Sequence, residues 1–176
     1  MMKSKNQKIL IFVADEYEDL ELQYPKFRLK EAGKEVVIAG EKKETIYAGK
    51  HSYPCKADIA FDQVSVDEYA ALVIPGGYAP DKLRKLPKVL EITQQFHKQK
   101  KLIAFICHAG WIPISAKIIN GIKCTSYISI KDDMVNAGVK WVDEAVVVDQ
   151  HFISSRSPDD LPKFCPAIIE YLSKKG

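Results

Sequence analysis

The chain has 176 residues, of which 47% are hydrophobic and 28% charged, a composition typical of one folded domain and not of a fibrous or disordered protein. Its formal net charge is only +3, and basic and acidic residues are interspersed, which argues against a nucleic-acid-binding surface. No apolar run approaches the roughly 18 residues of a membrane span. Because the polar N-terminus has no apolar secretory segment, we expect a cytoplasmic protein.

The four cysteines, Cys55, Cys107, Cys124 and Cys165, are widely spread along the chain. They form no CxxC pair and show no zinc-ligand spacing. In a cytoplasmic protein such cysteines are typically free thiols and not a disulfide framework. The sequence therefore predicts a protein with no metal and no disulfide.

The first half of the chain alternates strand and helix patterns. Lys8–Ala14 is a near-continuous apolar run, typical of a strand buried on both faces. Asp19–Ala32 is a helix pattern that ends at Gly33, and Glu35–Ala39 predicts a second strand. Strand, helix and strand in this order form a βαβ unit, which implies parallel strands. Thr45–Val64, with β-branched residues punctuated by glycine and proline, predicts short strands or a hairpin.

The second half continues the alternation. Ala71–Ile74 and Leu102–Ile106 have the pattern of buried strands, and Pro87–Gln99 between them predicts a helix. Further along we expect three helices, one short strand and a hairpin: helices Trp111–Ile119, Lys131–Ala137 and Asp159–Leu172, strand Lys123–Ser126, and a hairpin of Ala145–Asp149 with Phe152–Ser155. Without a linker or a repeat, this order predicts a single domain over residues 1–176, folded as a three-layer α/β/α sandwich with a mostly parallel central sheet.

Three chemically distinctive segments directly follow predicted strands. They are Asp15–Glu18, the Pro75-Gly76-Gly77 turn, and Cys107-His108. In open parallel sheets, ligands bind beyond the carboxyl ends of the strands. We therefore expect these segments to meet at one edge of the sheet and to form the functional site.

Cys107 is the candidate nucleophile. It lies between a strand and a predicted helix, and a helix N-terminus or a neighbouring imidazolium lowers a thiol pKa from about 8.5 to roughly 3.5–7.5. The alternative is a buried structural cysteine, which is common for this residue type. Cys55, Cys124 and Cys165 lack the strand-to-helix setting and are expected to be mostly inert.

Four neighbouring residues have candidate roles. His108 could act as a general base or as the imidazolium partner of a thiolate, although residue type alone favours a solvent-exposed or fully hydrogen-bonded histidine equally. Backbone amides at Gly76 and Gly77 could bind an oxyanion, although Pro-Gly-Gly also makes an ordinary tight turn. Glu18, if its carboxyl kept a proton, could donate a hydrogen bond to the thiolate. Most carboxylates near it should be solvated.

Five segments of the chain, in order, resemble the PfpI-type intracellular cysteine peptidases of the ThiJ/PfpI superfamily: EYEDLEL, PGGYAPDKLR, FICH, IKDDMVNAGVKWVDEAVVVD and SSRSPDDLP. The resemblance extends over essentially the whole chain. It implies a flavodoxin-like fold of the class I glutamine amidotransferase type, with a nucleophile elbow at Cys107. It also implies an enzyme without a cofactor.

The same resemblance implies roles for individual residues. Cys107 matches the family's nucleophile, His108 the histidine beside it, and Glu18 the carboxylate that bonds to the cysteine. Gly76 and Gly77 match the glycine pair of the oxyanion site. Asp81 matches a carboxylate that orients the histidine across a subunit contact, one methylene shorter than the usual glutamate. We therefore expect a homo-oligomer, a dimer or a dimer-based hexamer, with its active site near the subunit interface.

The sequence departs from the family pattern after the Cys-His pair. Gly-Pro is usual there, whereas this chain has Ala109-Gly110-Trp111. Ala109 places a Cβ where the elbow packs tightly, and Trp111 and Pro113 add bulk at the rim of the pocket. These residues bear on the size of the substrate more than on the nucleophile.

Three functions fit these observations. The first is a cysteine-dependent stress-response enzyme of the glyoxalase or deglycase type, in which Cys107 adds to the aldehyde of methylglyoxal, Glu18 and His108 move protons, and water releases lactate. The second is peptidase activity with Cys107, His108 and Asp81. The third is a redox sensor or chaperone without turnover, in which an accessible thiol is oxidised. The partner we expect is a small carbonyl substrate or a peptide or protein adduct, with no nucleic acid and no membrane.

Overall fold

The computed structural model describes residues 8–175, which form a central seven-stranded sheet with helices packed on it. Eleven strands are described: β1 Lys8–Phe12, β2 Glu35–Gly40, β3 Ile46–Ala48, β4 Pro54–Lys56, β5 Ile59–Ala60, β6 Tyr69–Ile74, β7 Leu102–Ile106, β8 Lys123–Cys124, β9 Lys140–Trp141, β10 Val146–Asp149 and β11 Phe152–Ser155. Six α-helices accompany them: α1 Asp19–Glu31, α2 Ala79–Leu83, α3 Pro87–Lys98, α4 Trp111–Ser115, α5 Lys131–Asn136 and α6 Leu161–Ser173.

The strands of the main sheet follow the order β10-β11-β7-β6-β1-β2-β5. Every neighbouring pair is parallel except β10 with β11, which form an antiparallel hairpin at one edge. The predicted three-layer α/β/α sandwich with a mostly parallel sheet is thus confirmed. Its central strands β1, β6 and β7 are buried except at Lys8 and Ala70, as their apolar sequences require.

The helices cover both faces of the sheet. Helix α1 packs on α6, which in turn covers β11, whereas α3 packs on β6, β7 and α4. The carboxyl ends of β1, β6 and β7 are adjacent because these three strands are neighbours. This topology brings the segments after them to one edge, as the strand pattern predicts.

Most predicted elements lie within a few residues of those observed, and the differences have local causes. Helix α4 ends at Ser115 and not at Ile119, and Lys117 just beyond it has a positive φ of 58°, which no α-helix accommodates. The short elements α2 and β9 were not predicted from the sequence. Their apolar patterns extend over too few residues to stand out from a loop.

None of the helices within residues 8–175 is long and apolar enough to cross a membrane.

Candidate active site

Cys107 lies on a strained turn at the carboxyl end of β7. Its backbone φ is +63°, a left-handed conformation that costs a non-glycine residue about 1–2 kcal/mol. A short 3₁₀ turn, Cys107–Gly110, then leads directly into α4. Strain of this kind is concentrated at functional sites, because it aims a side chain that a relaxed strand end would turn away. The geometry is that of the predicted nucleophile elbow.

His108 is held against the thiol on one side and a hydroxyl on the other. Its Nδ1 lies 3.1 Å from Cys107 Sγ, and its Nε2 lies 3.0 Å from Ser129 Oγ. The Tyr127 ring stacks on the imidazole and the Trp111 indole meets it edge-on, each with its centroid 5.2 Å away. Burial lowers the His108 pKa, and the positive charge of Lys50 lowers it further, so the ring is neutral at pH 7.

Glu21 is a fully buried carboxyl beside the nucleophile. Its Oε2 accepts a 2.8 Å hydrogen bond from the Gly76 amide, while Oε1 has no hydrogen-bond partner within residues 8–175. A Cβ placed on Gly76 would lie 2.5 Å from Glu21 Oε2 and 2.6 Å from Cys107 Cβ, which shows how closely the two side chains approach. Burial raises the Glu21 pKa to about 8, more than the Gly76 amide lowers it. Glu21 therefore carries a proton at pH 7.

Glu18, the carboxylate predicted from the sequence, faces a different neighbour. Its Oε2 is paired with Lys50 Nζ at 3.1 Å, and its backbone amide donates to the Gly76 carbonyl at 3.1 Å. The residue precedes α1, whereas Glu21 lies in the first turn of that helix and points into the core. The structure therefore places Glu21, and not Glu18, against Cys107.

The thiol pKa is shifted upward, opposite to the sequence prediction. Burial raises the pKa of Cys107 to about 12, and the charge that Glu21 would carry raises it too. The amides of Gly77 and His108 act in the opposite direction by hydrogen bonding to the sulfur. The helix behind the thiol has only five residues, so its dipole is too weak to outweigh burial. Cys107 is thus a thiol in the free protein, with a neutral imidazole in reach of its proton.

The two glycines of the turn after β6 have different positions. The Gly76 amide is engaged by Glu21 and is not free for an oxyanion, which corrects the predicted pair. Gly77 has a φ of +76°, and a Cβ there would lie 2.4 Å from the Glu18 backbone nitrogen. Only glycine fits this position. The amides that face the sulfur are those of Gly77 and His108.

Asp81 lies on α2, a helix that packs on the Cys107–Gly110 turn. It is exposed on α2, and its backbone amide donates to the Tyr78 carbonyl. Within residues 8–175, no hydrogen bond joins the Asp81 side chain to His108, whose Nε2 is at Ser129 instead. Within residues 8–175, Ser129 and not Asp81 bonds to the imidazole, and a role for Asp81 across a subunit contact stays a prediction.

Three possible metal ligands come together at the rim of the site. Single ligand atoms of Glu18, Asp19 and His51 lie within 4.8 Å of one another. However, Glu18 is paired with Lys50, and Asp19 accepts hydrogen bonds from the His51 and Tyr53 amides at 2.8 and 3.0 Å. The arrangement braces the loop after β3 against α1, and both Asp19 oxygens and Glu18 Oε2 already have partners.

Comparisons with known proteins identify the family. The model of the DJ-1/PfpI family matches residues 7–171. The chain belongs to the DJ-1/PfpI family. It is 52% identical over 165 residues to a Pyrococcus furiosus protein named Deglycase PfpI, covering 94% of this chain and 99% of that one. It is 38% identical over 170 residues to General stress protein 18 of Bacillus subtilis, covering 96% and 99% of the two chains.

Solved structures agree with this assignment. A two-domain Anabaena variabilis protein with DJ-1/ThiJ/PfpI-like and ferritin-like domains superimposes with a TM-score of 0.93 at 39% identity, over 95% of this chain and 48% of that one. Drosophila melanogaster DJ-1beta superimposes with a TM-score of 0.90 at 27% identity, over 95% and 90% of the two chains. The predicted family and the flavodoxin-like fold are both confirmed.

The departure of this DJ-1/PfpI chain after Cys-His is accommodated without disturbing the elbow. Ala109 is completely buried, and a Cβ on Gly110 would lie 2.6 Å from Met134 Sδ, so this turn packs tightly on α5. Trp111 Nε1 donates to Asp133 Oδ2 at 2.8 Å, and the Arg84 guanidinium lies over the indole ring. Beyond Trp111 is an open groove of about 350 Å³ lined by Arg84, Trp111, Ile114, Asp133, Asn136 and Ala137.

Sequence reasoning missed four residues of this site: Glu21, Lys50, Tyr127 and Ser129. Glu21 carried a detectable signal, because it is an acidic residue between apolar neighbours on a helix that must bury one face. Lys50 and Tyr127 lie in loops and Ser129 lies in a short 3₁₀ turn, where side-chain direction has no period to reveal it.

Proposed function

We propose that this protein is a cysteine-dependent deglycase that acts on adducts of methylglyoxal and related α-oxoaldehydes. The observation that carries the proposal is a thiol between a protonated Glu21 and a neutral His108. One group can give a proton and the other can take one, which is what addition of a thiol to a carbonyl requires. The name Deglycase PfpI of a relative 52% identical to this chain supports the same chemistry.

In the proposed first step, His108 Nδ1 accepts the proton of the Cys107 thiol. The sulfur then bonds to the aldehyde carbon, and the aldehyde oxygen takes the Glu21 proton, which gives a hemithioacetal. In an adduct, the aldehyde carbon already carries a hydroxyl and the amine or thiol of a modified protein. The bond to that amine or thiol then breaks as the bond to Cys107 sulfur forms, and the leaving group takes the Glu21 proton. Amides of Gly77 and His108 stabilise negative charge on the sulfur while it is a thiolate.

The second half of the reaction is an internal oxidation and reduction. A proton leaves the carbon attached to sulfur, and a proton is added to the neighbouring carbonyl carbon, which converts the hemithioacetal into a lactoyl thioester. Water hydrolyses the thioester to lactate and restores the thiol. One carbon is oxidised and its neighbour reduced within the same molecule, so the sum is methylglyoxal plus water giving lactate.

The proposal extends to the setting of the enzyme. A stress-response role in the cytoplasm is supported by the likeness to General stress protein 18.

A homo-oligomer, a dimer or a dimer-based hexamer, is supported by three apolar side chains exposed on α1: Leu20, Tyr24 and Phe27. We propose that Asp81 reaches His108 from a neighbouring subunit. Sedimentation of the wild type and of Phe27→Lys tests the oligomer, because a charge in an apolar contact should dissociate it.

The test of the activity follows lactate and adduct together. Purified protein is mixed with the methylglyoxal hemithioacetal of N-acetylcysteine or the adduct of N-acetylarginine, and also with free methylglyoxal. We expect lactate from both, with adduct loss faster than spontaneous dissociation when a scavenger removes free methylglyoxal. Adduct loss no faster than dissociation leaves a glyoxalase and excludes the deglycase.

Two cysteine variants complete this experiment. Cys107→Ser should reduce turnover to background, since serine cannot form the thioester. Cys165→Ala, a buried cysteine on α6, is the matched control and should retain activity. Lactate formation that persists in Cys107→Ser contradicts the proposal. Cys107-dependent cleavage of a fluorogenic peptide, without lactate formation, would favour the peptidase alternative.

A further inference from the structure

Ser129 is attached to the catalytic turn by backbone contacts. It lies in the short 3₁₀ turn Ile128–Ile130, which begins just after Tyr127. The Tyr127 amide donates to the Cys107 carbonyl at 3.2 Å, and the Ile130 amide donates to the Tyr127 carbonyl at 3.2 Å. The position of the serine is therefore set by the backbone of the nucleophile itself, although its own side chain is exposed.

The hydrogen bonds of His108 fix which nitrogen carries the proton. A thiol that donates to Nδ1 at 3.1 Å requires that nitrogen to be bare, so the neutral ring carries its proton on Nε2. Nε2 then donates to Ser129 Oγ at 3.0 Å. After the thiol proton has moved to Nδ1, both nitrogens are donors, and the serine oxygen faces a positive charge. Hydrogen bonds to a charged donor are the stronger ones.

We propose that Ser129 is a positioning residue for the base His108, and that it supplies within one chain the orientation that Asp81 of a second chain would otherwise supply. The hydroxyl holds the ring in the tautomer that accepts the thiol proton and stabilises the imidazolium that results. The Tyr127 ring stacks on the imidazole and the Trp111 indole meets it edge-on, so these two rings limit its movement. The hydrogen bond to Ser129 then fixes the rotation of the imidazole about its side-chain bond. The inference rests on the proposed function only in that His108 is the base for Cys107.

The reactivity of the thiol tests this role without any carbonyl substrate. The rate of Cys107 alkylation by iodoacetamide is measured from pH 5 to 9, with the modified peptide identified by mass. The charged and titratable groups around the imidazole are Cys107 and Glu21 at the thiol, Lys50 after β3, and Tyr127. None of them changes in a serine variant, so a change in the profile reports on the hydroxyl.

We expect Ser129→Ala to slow alkylation at pH 7 roughly fivefold, the effect of losing one hydrogen bond. The acid limb of the profile should move to lower pH, because the imidazolium has lost its acceptor. In the deglycase assay kcat should fall by a similar factor while KM is unchanged. Ser129→Thr, which keeps the hydroxyl, should have the alkylation rate and the kcat of the wild type. Ser173→Ala, an exposed serine that bonds to Glu170 at the end of α6, is the control.

The outcomes separate this inference from the proposed function. If Ser129→Ala alters alkylation but the wild type releases no lactate, the serine has its role and the deglycase proposal fails. If Ser129→Ala leaves alkylation and kcat unchanged, the inference is overturned. If Asp81→Asn gives the loss expected for Ser129→Ala, and Ser129→Ala gives none, a second chain orients the histidine.

Discussion

At the level of single residues, the buried carboxyl of Glu21 sets how the site responds to pH. Its pKa is raised to about 8 by burial, whereas the His108 pKa is lowered below its ordinary value of 6.5. A reaction that needs protonated Glu21 and neutral His108 has an acid limb below pH 6.5 and a basic limb near pH 8. Activity is therefore expected to be greatest between these limits.

We predict that Glu21→Gln lowers kcat/KM at least about a hundredfold, the usual contribution of a general acid or base. The amide has nearly the same shape and its oxygen can still accept from Gly76, but it cannot give up a proton. The basic limb near pH 8 should disappear from the residual activity. Initial rates of lactate formation from pH 5 to 10 provide the measurement.

Glu18→Gln is the matched variant for this experiment, on the carboxylate three residues away. It breaks the pairing with Lys50 but leaves the contact between Glu21 and Cys107 in place. Its kcat/KM should fall less than about tenfold, because an ion pair with a partly exposed lysine contributes little. A larger loss in Glu18→Gln than in Glu21→Gln would contradict the assignment.

The confusion between Glu18 and Glu21 shows where sequence reasoning ends at this level. The helix prediction for Asp19–Ala32 rests on its apolar residues, yet Leu20 and Phe27 are exposed and Glu21 is buried. Apolar periodicity indicates the buried face of a helix only when the apolar residues of that helix are all buried within its own chain. Cys107 was easier to place, because its position at the end of a strand defines its direction.

At the level of secondary structure, the glycines after strands and helices determine how the elements join. Gly77 and Gly33 both have a φ of +76°. A Cβ on Gly77 would contact the backbone of Glu16, Tyr17 and Glu18, whereas a Cβ on Gly33 meets nothing within 4 Å. An alanine at either position would have the same strained backbone conformation. Only at Gly77 would its Cβ also clash with neighbouring atoms.

We predict that Gly33→Ala lowers the free energy of unfolding by about 1 kcal/mol, the strain of the left-handed conformation alone. Gly77→Ala should lower it by roughly 3 kcal/mol or more, because the backbone of the loop before α1 must also move. Urea unfolding monitored by circular dichroism measures both values. Equal losses in the two variants would show that the loop shifts freely and that the turn does not hold the site together.

The long elements of this fold were predictable because their signal accumulates over many residues. Strands β1, β6 and β7 are unbroken apolar runs, and the topology of their ends indicated the site correctly. The turn at Lys117 that shortens α4 and the five-residue helix α2 depend on contacts with neighbouring elements. Such contacts exist only after the chain has folded.

At the level of the whole molecule, a pair of histidines far from the site makes stability depend on pH. His151, in the turn between β10 and β11, is 6% exposed, and its Nε2 lies 3.0 Å from His97 Nδ1 at the end of α3. Burial lowers its pKa to about 4, and the charges of His97, Lys175 and Lys100 add to this. Burial lowers the pKa of His97 as well.

The histidine pair and Glu21 act on stability in opposite directions. Between pH 6.5 and 4, His151 is protonated in the unfolded chain and neutral in the native protein. His151 therefore lowers the stability of the protein as the pH falls. Between pH 8 and 4.5, Glu21 is protonated in the native protein and ionised in the unfolded chain. Glu21 therefore raises the stability of the protein as the pH falls. The two contributions partly cancel in the wild type.

We therefore predict that His151→Gln changes the slope of stability with pH even if it weakens the fold. When the pH falls from 7 to 5, His151 lowers the free energy of unfolding of the wild type by about 2 kcal/mol, at 1.36 kcal/mol per pH unit below pH 6.5. The His151→Gln variant should not show this loss. Glu21→Gln should differ from the wild type in the opposite direction, with a loss that is larger by a similar amount. Ser173→Ala, at an exposed residue without an ionisable side chain, is the control and should parallel the wild type. Urea unfolding at both pH values gives the differences, and parallel behaviour of His151→Gln and the wild type would mean that His151 accepts its proton as readily in the native protein as in the unfolded chain.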